Sequence, residues 1–254
     1  MYHAIIVFNL KIISIQLGQH MADRKETAMK RSEINQAIRQ MEALAAEHGF
    51  ELPPFCKWTP EDWKSKGHEY DEIRDNMLGW DITDYGSGDW ERIGFALITL
   101  RNGNQHNPKY TKSYAEKLLM LLEGQHSPMH FHWSKTEDII NRGGGVLLIH
   151  VYNDDGNEEL ADTPVKVNSD GRIYEVPAGT AIELHPGESI TLTPHQYHDF
   201  DVKEGTGAVL IGEVSMCNDD NTDNRFYEKV GRFPTVVEDE EPYRLLCFEY
   251  PTAE

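Results

Sequence analysis

The middle of the sequence, residues 80–215, alternates short apolar segments with turn-forming residues, and this pattern constrains the fold most. Thr180–Leu184 and Ser189–Thr193 have the length of ordinary strands, and His185-Pro186-Gly187 between them has the composition of a turn. Many short antiparallel strands at even spacing form closed barrels or jelly rolls. The sequence therefore predicts a mainly β domain built on an antiparallel barrel.

The preceding segment, residues 29–78, has helical periodicity instead. We expect one helix to begin with Ser32 as its cap and to end at Gly49, with its apolar residues at helical spacing. Thr59 precedes a proline and predicts a second, short helix, and residues 70–77 a third. These helices are predicted to pack on the outside of the barrel.

The first 28 residues differ from the rest of the chain. Their apolar segment, Ile5–Leu17, contains Lys11 and is shorter than the roughly 20 residues that a membrane span needs. It also lacks the basic start and cleavage site of a signal peptide. We interpret residues 1–28 as a dispensable extension, with an extra strand or dimer arm as the alternative, and 29–254 as a single domain.

Charge and cysteine content exclude several classes of partner. The formal net charge is -19, which disfavours binding to nucleic acid phosphates or to anionic membranes. The three cysteines, Cys56, Cys217 and Cys247, are far apart and form no CxxC pair, so neither a disulfide framework nor a thiolate zinc site is indicated. A cytoplasmic protein without nucleic acid or membrane partners is expected.

The segment from Gly124 to Gly144 contains the pattern H-x-H-x4-E, in which the polar residues are His130, His132 and Glu137. Residues two apart in a strand face the same side, so the two imidazoles point the same way. A turn after His132 can bring the Glu137 carboxylate beside them. Two imidazoles and one carboxylate are three ligands of a divalent metal site.

A fourth ligand is expected from a later strand, and His198 is the candidate because it begins a strand and can point into the barrel. Three imidazoles and a carboxylate with open water positions suit manganese, iron, zinc, cobalt or nickel. A purely structural zinc site is less favoured because no thiolate ligand is present.

These spacings resemble the two cupin motifs. The first motif is matched in every spaced position, while in the second Gly187, Pro194 and His198 are present but Gln196 stands where glycine is usual. Longer stretches resemble the D-lyxose isomerase family of cupin-type bacterial sugar isomerases. The resemblance runs from about Met29 to the C-terminus and is carried by four stretches of sequence: Tyr114–Lys117, Gln125–His132, Lys135–Glu137 and Glu213–Phe226.

The resemblance implies a cupin-type barrel that interconverts D-lyxose with D-xylulose and, more slowly, D-mannose with D-fructose. It also implies a divalent metal, commonly Mn²⁺, and a homodimer. Such an exchange moves one proton between C1 and C2 and another between O1 and O2. The metal would stabilise the enediolate, and a base must stand over the two carbons.

Glu213 is the expected base. It lies in an otherwise apolar strand, where a carboxylate costs free energy unless it has a partner or faces a polar cavity. Lys117 lies in another apolar strand, and Lys135 precedes Glu137 by two residues; both are candidate donors to a sugar oxygen. The alternatives are a position on the solvent face of an edge strand for Glu213, pairing with Glu116 or a snorkelling position in the barrel wall for Lys117, and a solvated turn for Lys135.

Asp223 and Arg225 follow the last long strand, in a segment rich in Asp and Asn. Such residues can hydrogen-bond several hydroxyl groups, so both are candidate contacts of the monosaccharide. Mutual pairing of the two is the alternative.

Two other functions fit the same ligand set. A metal-dependent cupin dioxygenase would carry the same histidines and glutamate, and would consume oxygen with iron or copper. A non-catalytic sugar-binding cupin would keep the ligands but would not need Glu213 or Lys117.

Overall fold

The computed structural model describes residues 28–220, 222–231 and 235–253. The predicted extension, residues 1–28, lies outside this part apart from Ala28. In the described part the α-helices are α1 Arg31–Glu47, α2 Pro60–Trp63 and α3 Asp71–Asp75, with 3₁₀ turns at Pro54–Lys57 and His68–Tyr70. The strands are β1 Met29–Lys30, β2 Gly79–Thr83, β3 Phe95–Arg101, β4 Tyr114–Leu121, β5 His130–His132, β6 Glu137–Gly144, β7 Leu147–Asp154, β8 Leu160–Ala161, β9 Val165–Ser169, β10 Arg172–Val176, β11 Thr180–Leu184, β12 Ser189–Leu192, β13 Gln196–Val202, β14 Val209–Met216, β15 Asn224–Phe226 and β16 Val236–Val237.

Two antiparallel sheets face each other across one apolar core. The first has the order β10-β9-β12-β6-β14-β4-β3-β2, and the second has the order β11-β7-β13-β5-β15 with β8 beside β7. Inward-facing residues of both sheets, among them Leu119, Ile149 and Phe200, form a single buried cluster. This architecture confirms the mainly β, cupin-type antiparallel barrel with helices packed outside.

Helix α1 covers the outer face of the eight-stranded sheet. Its buried residues Ile34, Ile38 and Met41 recur at helical spacing and join a second cluster that includes Leu118 and Met120 of β4. Because side chains alternate along a strand, these two residues face the helix while their neighbours face the barrel core. The part of the sheet beneath α1 is therefore buried on both faces.

The ends of α1 follow local rules. Gly49 at φ +68° ends the helix, and the Phe50 N–H donates to the Ala45 carbonyl at 2.8 Å. The predicted cap was wrong, because the Ser32 hydroxyl donates to Asp239 Oδ2 at 2.7 Å instead of binding its own helix. No helix among the described residues is long and apolar enough to cross a membrane.

Strand β6 has a glycine-rich end, yet it lies in the middle of the eight-stranded sheet between β12 and β14. Gly143 and Gly144 have φ of +156° and +90°, at a shift of the register opposite Leu210 and Ile211. Arg142 is therefore the extra residue of a bulge inside the strand, and the two glycines continue the pairing with β14 beyond it.

Candidate metal and sugar site

Three imidazoles converge inside the barrel. His130 and His132 lie on β5, and His198 on β13 is paired directly with His130. The ring centroids of His130 and His198 are 4.3 Å apart, and the candidate ligand nitrogens of all three residues lie within 4.8 Å of one another. A group of this size can hold one metal ion.

The outer nitrogens of two of these rings are fixed by the backbone. His130 Nδ1 lies 2.9 Å from the Pro128 carbonyl and His198 Nδ1 lies 3.0 Å from the Gln196 carbonyl. A carbonyl only accepts, so each Nδ1 carries the proton and leaves the Nε2 lone pair for a metal. Within the described residues, His198 Nε2 is buried and makes no hydrogen bond. The donor set therefore fits a divalent ion.

Burial sets the charge of these rings. Desolvation, together with the neighbouring His198 and His132, holds the pKa of His130 well below its usual value. Desolvation and the Lys135 ammonium lower the pKa of His132. Both rings are therefore neutral at physiological pH, which is the form that binds a metal.

Glu137 begins β6 and reaches the histidines from the opposite sheet. Its Oε1 lies 3.2 Å from His132 Nε2 and 3.1 Å from His198 Nε2, and its Oε2 lies 2.8 Å from Lys135 Nζ. Burial opposes the charge of this carboxylate, but Lys135 and His132 outweigh it and hold the pKa of Glu137 well below its usual value. The structure thus brings together all four residues that were predicted as ligands.

The three predicted catalytic residues form one buried cluster beside the histidines. Glu213 and Lys117 are cross-strand partners on β14 and β4, and both are 5% exposed. Glu213 Oε1 lies 2.9 Å from Lys135 Nζ and 3.4 Å from Lys117 Nζ. Burial disfavours the Lys135 ammonium, but Glu137 and Glu213 outweigh it and raise the pKa of Lys135. Charged groups are therefore paired here in a low-dielectric cavity.

Asp223 supports the turn between the ligands. Its carboxylate accepts the Ser134 N–H at 2.9 Å, the Ser134 hydroxyl at 2.7 Å and the Lys135 N–H at 3.2 Å. It therefore fixes the loop that returns Glu137 to the histidines, and its predicted contact with the sugar stays a prediction.

Arg225 points elsewhere. Its neighbours on β15, Asn224 and Phe226, line the cavity, so the alternation of the strand turns Arg225 outward. Its Nε donates to Glu158 Oε2 at 2.5 Å. This placement is contrary to the expected contact between Arg225 and the sugar.

His130, His132 and the charged cluster line one cavity, and the His198 ring lies 4.3 Å from the His130 ring. The polar side of the cavity also includes Asp220 and Asn224, which sequence reasoning did not assign to a role. Its apolar side is made of aromatic and aliphatic residues of both sheets: Tyr85, Phe95, Leu97, Leu119, Phe200 and Phe226. A site with one apolar wall and several donors and acceptors suits a small polyol.

Comparison with known proteins decides the family. The sequence profile of the D-lyxose isomerase family matches residues 29–250. The chain belongs to the D-lyxose isomerase family. It is 47% identical over 223 residues to the D-lyxose/D-mannose isomerase of Serratia proteamaculans and 43% identical over 223 residues to that of Escherichia coli O157:H7. Each alignment covers 87% of this chain and 98% of the relative. This family member is therefore a sugar isomerase, as the sequence predicted.

Solved structures support the fold of this family member. L-Ribose isomerase of Acinetobacter sp. DL28 with L-ribose is 14% identical with a TM-score of 0.56, and the alignment covers 83% of this chain and 99% of that one. The Cellulomonas parahominis L-ribose isomerase with L-ribose is 15% identical with a TM-score of 0.52, covering 84% and 100%. At this identity the likeness establishes the shared barrel alone.

Proposed function

We propose that this sugar isomerase is a metal-dependent ketol-isomerase that interconverts D-lyxose and D-xylulose, and also D-mannose and D-fructose. The names of its 47% and 43% identical relatives support these substrates. The observation that carries the chemistry is the placement of Glu213, Lys117 and Lys135 in one cavity with His130, His132 and Glu137. Neither a dioxygenase nor a simple sugar-binding protein needs that arrangement, and family membership also favours the isomerase.

In this proposal His130, His132, His198 and Glu137 hold one divalent ion, with Mn²⁺ as the first candidate and Zn, Co, Fe or Ni as the others. When bound, the ion supplies a Lewis acid for adjacent oxygens of the sugar. Metal analysis of the purified protein tests this assignment, and the expected result is one divalent ion for each chain. A chain that turns over sugar with no bound metal would contradict it.

The cavity residues then divide the proton transfers. Glu213 takes the proton from C2 of the aldose and returns it to C1, which yields the ketose through an enediolate. A second proton passes from O2 to O1. Lys117 and Lys135 donate hydrogen bonds to the oxygen that gains negative charge, and burial strengthens these bonds because water does not screen them.

The direct test is incubation of the metal-loaded protein with D-lyxose, D-mannose and D-xylose, followed by detection of ketoses. The expected result is D-xylulose from D-lyxose without oxygen consumption. In D₂O, deuterium is expected at C1 of the ketose. Complete absence of deuterium would contradict proton transfer and indicate a hydride shift, and sugar binding without turnover would contradict the isomerase.

We further propose that residues 29–254 form a single domain and that residues 1–28 are dispensable for its activity. The family profile begins at residue 29, and Met29 is itself buried beneath α1. A chain that begins at Met29 is expected to keep its turnover number and melting temperature. A loss of either would show that the preceding residues belong to the domain.

We also propose a cytoplasmic homodimer. Cys56, Cys217 and Cys247 are free thiols in the structure, which suits a reducing compartment. Light scattering is expected to give twice the chain mass of 29.1 kDa. A mass of one chain would contradict the dimer.

A further inference from the structure

Two ammonium groups approach the same carboxylate oxygen in the cavity. Lys117 on β4 and Lys135 in the turn before β6 are both buried, and each lies near Glu213 Oε1. Like charges at this separation repel each other, and the repulsion is stronger in a buried site than in water. Nearby carboxylates offset this repulsion, among them Asp220, whose Oδ1 lies 3.8 Å from Lys117 Nζ, but none of these ion pairs joins Lys117 to Lys135 except through Glu213. A neutral acceptor shared by both lysines would hold the two side chains together on the same side of Glu213.

Asn218 meets this need. Its Oδ1 accepts a hydrogen bond from Lys117 Nζ at 2.8 Å and another from Lys135 Nζ at 3.2 Å. Lysine only donates, so the amide must present its oxygen to both ammonium groups. One neutral oxygen thus satisfies two cations, and it adds no negative charge to a cluster that already holds Glu137 and Glu213.

The backbone of Asn218 is itself fixed from two directions. Its N–H donates to Asn102 Oδ1 at 3.0 Å, and Asn102 Nδ2 donates back to the Asn218 carbonyl at 2.9 Å. Asn102 is 6% exposed and follows β3, and its carbonyl accepts from Asn76 Nδ2 at 3.2 Å. This reciprocal pair ties the segment after β14 to the segment after β3. It holds the Asn218 side chain at a constant distance from the lysines.

We propose that Asn218 is a positioning residue, supported by Asn102, that holds Lys117 and Lys135 together against Glu213. The proposal rests on the proposed isomerase function. Asn218 does not line the cavity with the histidines, so it acts through the lysines and contributes to the chemical step rather than to sugar or metal binding.

The test is Asn218→Ala in the full-length, metal-loaded enzyme. A misplacement of about 1 Å can cost about 10²-fold in rate, so kcat for D-lyxose is expected to fall about 30- to 100-fold. KM is expected to stay within about threefold, and the bound metal is expected to stay unchanged. Asn102→Ala, which removes the support but no contact with the lysines, is expected to lower kcat about tenfold.

Asn35→Ala is the matched control. Asn35 is 1% exposed, and its amide donates to Glu240 Oε1 at 2.7 Å and to the Glu241 carbonyl at 2.9 Å, far from the cavity. This variant loses buried hydrogen bonds of the same kind, so its melting temperature falls while kcat stays within about twofold. An equal loss of kcat in Asn35→Ala would show that the effect is a general loss of packing, and would overturn the proposal.

Three other outcomes would overturn it. These are a kcat in Asn218→Ala within threefold of the unmodified enzyme, a loss of bound metal, or a rise in KM that accounts for the whole defect. A crystal structure of the variant gives a readout that does not depend on activity, and both Nζ atoms are expected to move away from Glu213 Oε1. If the unmodified enzyme produces no ketose, the proposed function fails. The crystal structure of the variant would still test whether Asn218 holds the two lysines near Glu213.

Discussion

The eight-stranded sheet is buried on both faces where α1 covers it, but by different kinds of partner. The outer face under α1 is apolar, with Leu118, Met120 and Leu210 at its centre. On the inner face the same strands, β4 and β14, carry Lys117 and Glu213. Each of these two strands therefore packs against the helix side through alternate residues and places a charged residue in the barrel through the others.

We expect the apolar outer face to contribute mainly to stability and the charged inner face to contribute mainly to function. An apolar side chain contributes about 1.5–3 kcal/mol when it is fully buried, whereas a buried ion pair often contributes less than an apolar replacement. The inner cluster is therefore a costly way to stabilise a sheet, and the catalytic role that we propose would account for its presence. Substitutions on the inner face should change activity in addition to any effect on stability, and those on the outer face should change stability alone.

The largest effect is expected from Glu213→Gln on the inner face. Loss of a general base typically lowers the rate by 10²- to 10⁴-fold, so kcat should fall about 10³-fold while bound metal is kept. The free energy of unfolding should also fall, because Lys117 and Lys135 lose a buried ion-pair partner. Steady-state kinetics with D-lyxose measures it. The matched control is Glu183→Gln on the exposed face of β11, for which no change in kcat is expected. A loss below about tenfold would remove Glu213 from the mechanism.

Lys135→Met tests whether the buried carboxylates of the inner cluster need the Lys135 ammonium to be stable in the folded protein. It leaves Glu137 and Glu213 without their shortest ion pairs, at 2.8 and 2.9 Å, so the free energy of unfolding of the chelated protein should fall by about 3 kcal/mol. Lys203→Met removes an exposed pair with Glu183 and should cost less than about 1 kcal/mol. Urea unfolding in chelator measures both, and equal losses would contradict the argument.

Leu118→Ala tests the outer face. Removal of a fully buried leucine beneath α1 should lower the free energy of unfolding by about 3 kcal/mol, because a cavity remains. Turnover per folded molecule should not change. Val214→Ala, on the same face but 41% exposed, should cost about 0.5 kcal/mol or less. A fall in kcat for Leu118→Ala, measured below its unfolding transition, would show that the two faces are coupled.

The smallest effect concerns the outer face of the other sheet. There His150 Nδ1 lies 2.7 Å from Asp199 Oδ1, and this hydrogen bond raises the pKa of the half-exposed His150. A pKa raised by folding stabilises the protein fully below the unfolded pKa of about 6.5, and this contribution disappears as pH rises through the folded pKa. His150→Gln should therefore cost less than about 1 kcal/mol at pH 5.5 and nothing at about pH 9. Urea unfolding at both pH values measures it, and a cost that is independent of pH would contradict the pairing.

Local spacing was sufficient to predict the parts of the site that depend on one strand. Because His130 and His132 are two residues apart, they were expected on the same face of a strand. Lys117 and Glu213 became candidates for the site because each is a charged residue in an apolar strand. Each of these rules follows from the alternation of side chains along a strand. The alternation holds within any strand, whatever its tertiary partners.

Features that depend on pairing between distant segments could not be predicted in this way. Gly143 and Gly144 are typical of a loop, and their place in a central strand depends on a bulge opposite β14. Arg225 was expected to face the sugar, but the register of β15 against β5 turns it outward. Asn218 has no periodic signal at all, because its role depends on Asn102, which is 116 residues away.

The four candidate ligands come from both layers of the barrel: the histidines belong to the six-stranded sheet, and Glu137 belongs to the eight-stranded sheet. An ion held by all four would be a cross-link between the layers. Separation of the sheets and release of the ion would then be a single event. We expect the dissociation rate of the metal to match the slowest amide hydrogen exchange of the inner strands, so that a chelator would report how often the barrel opens.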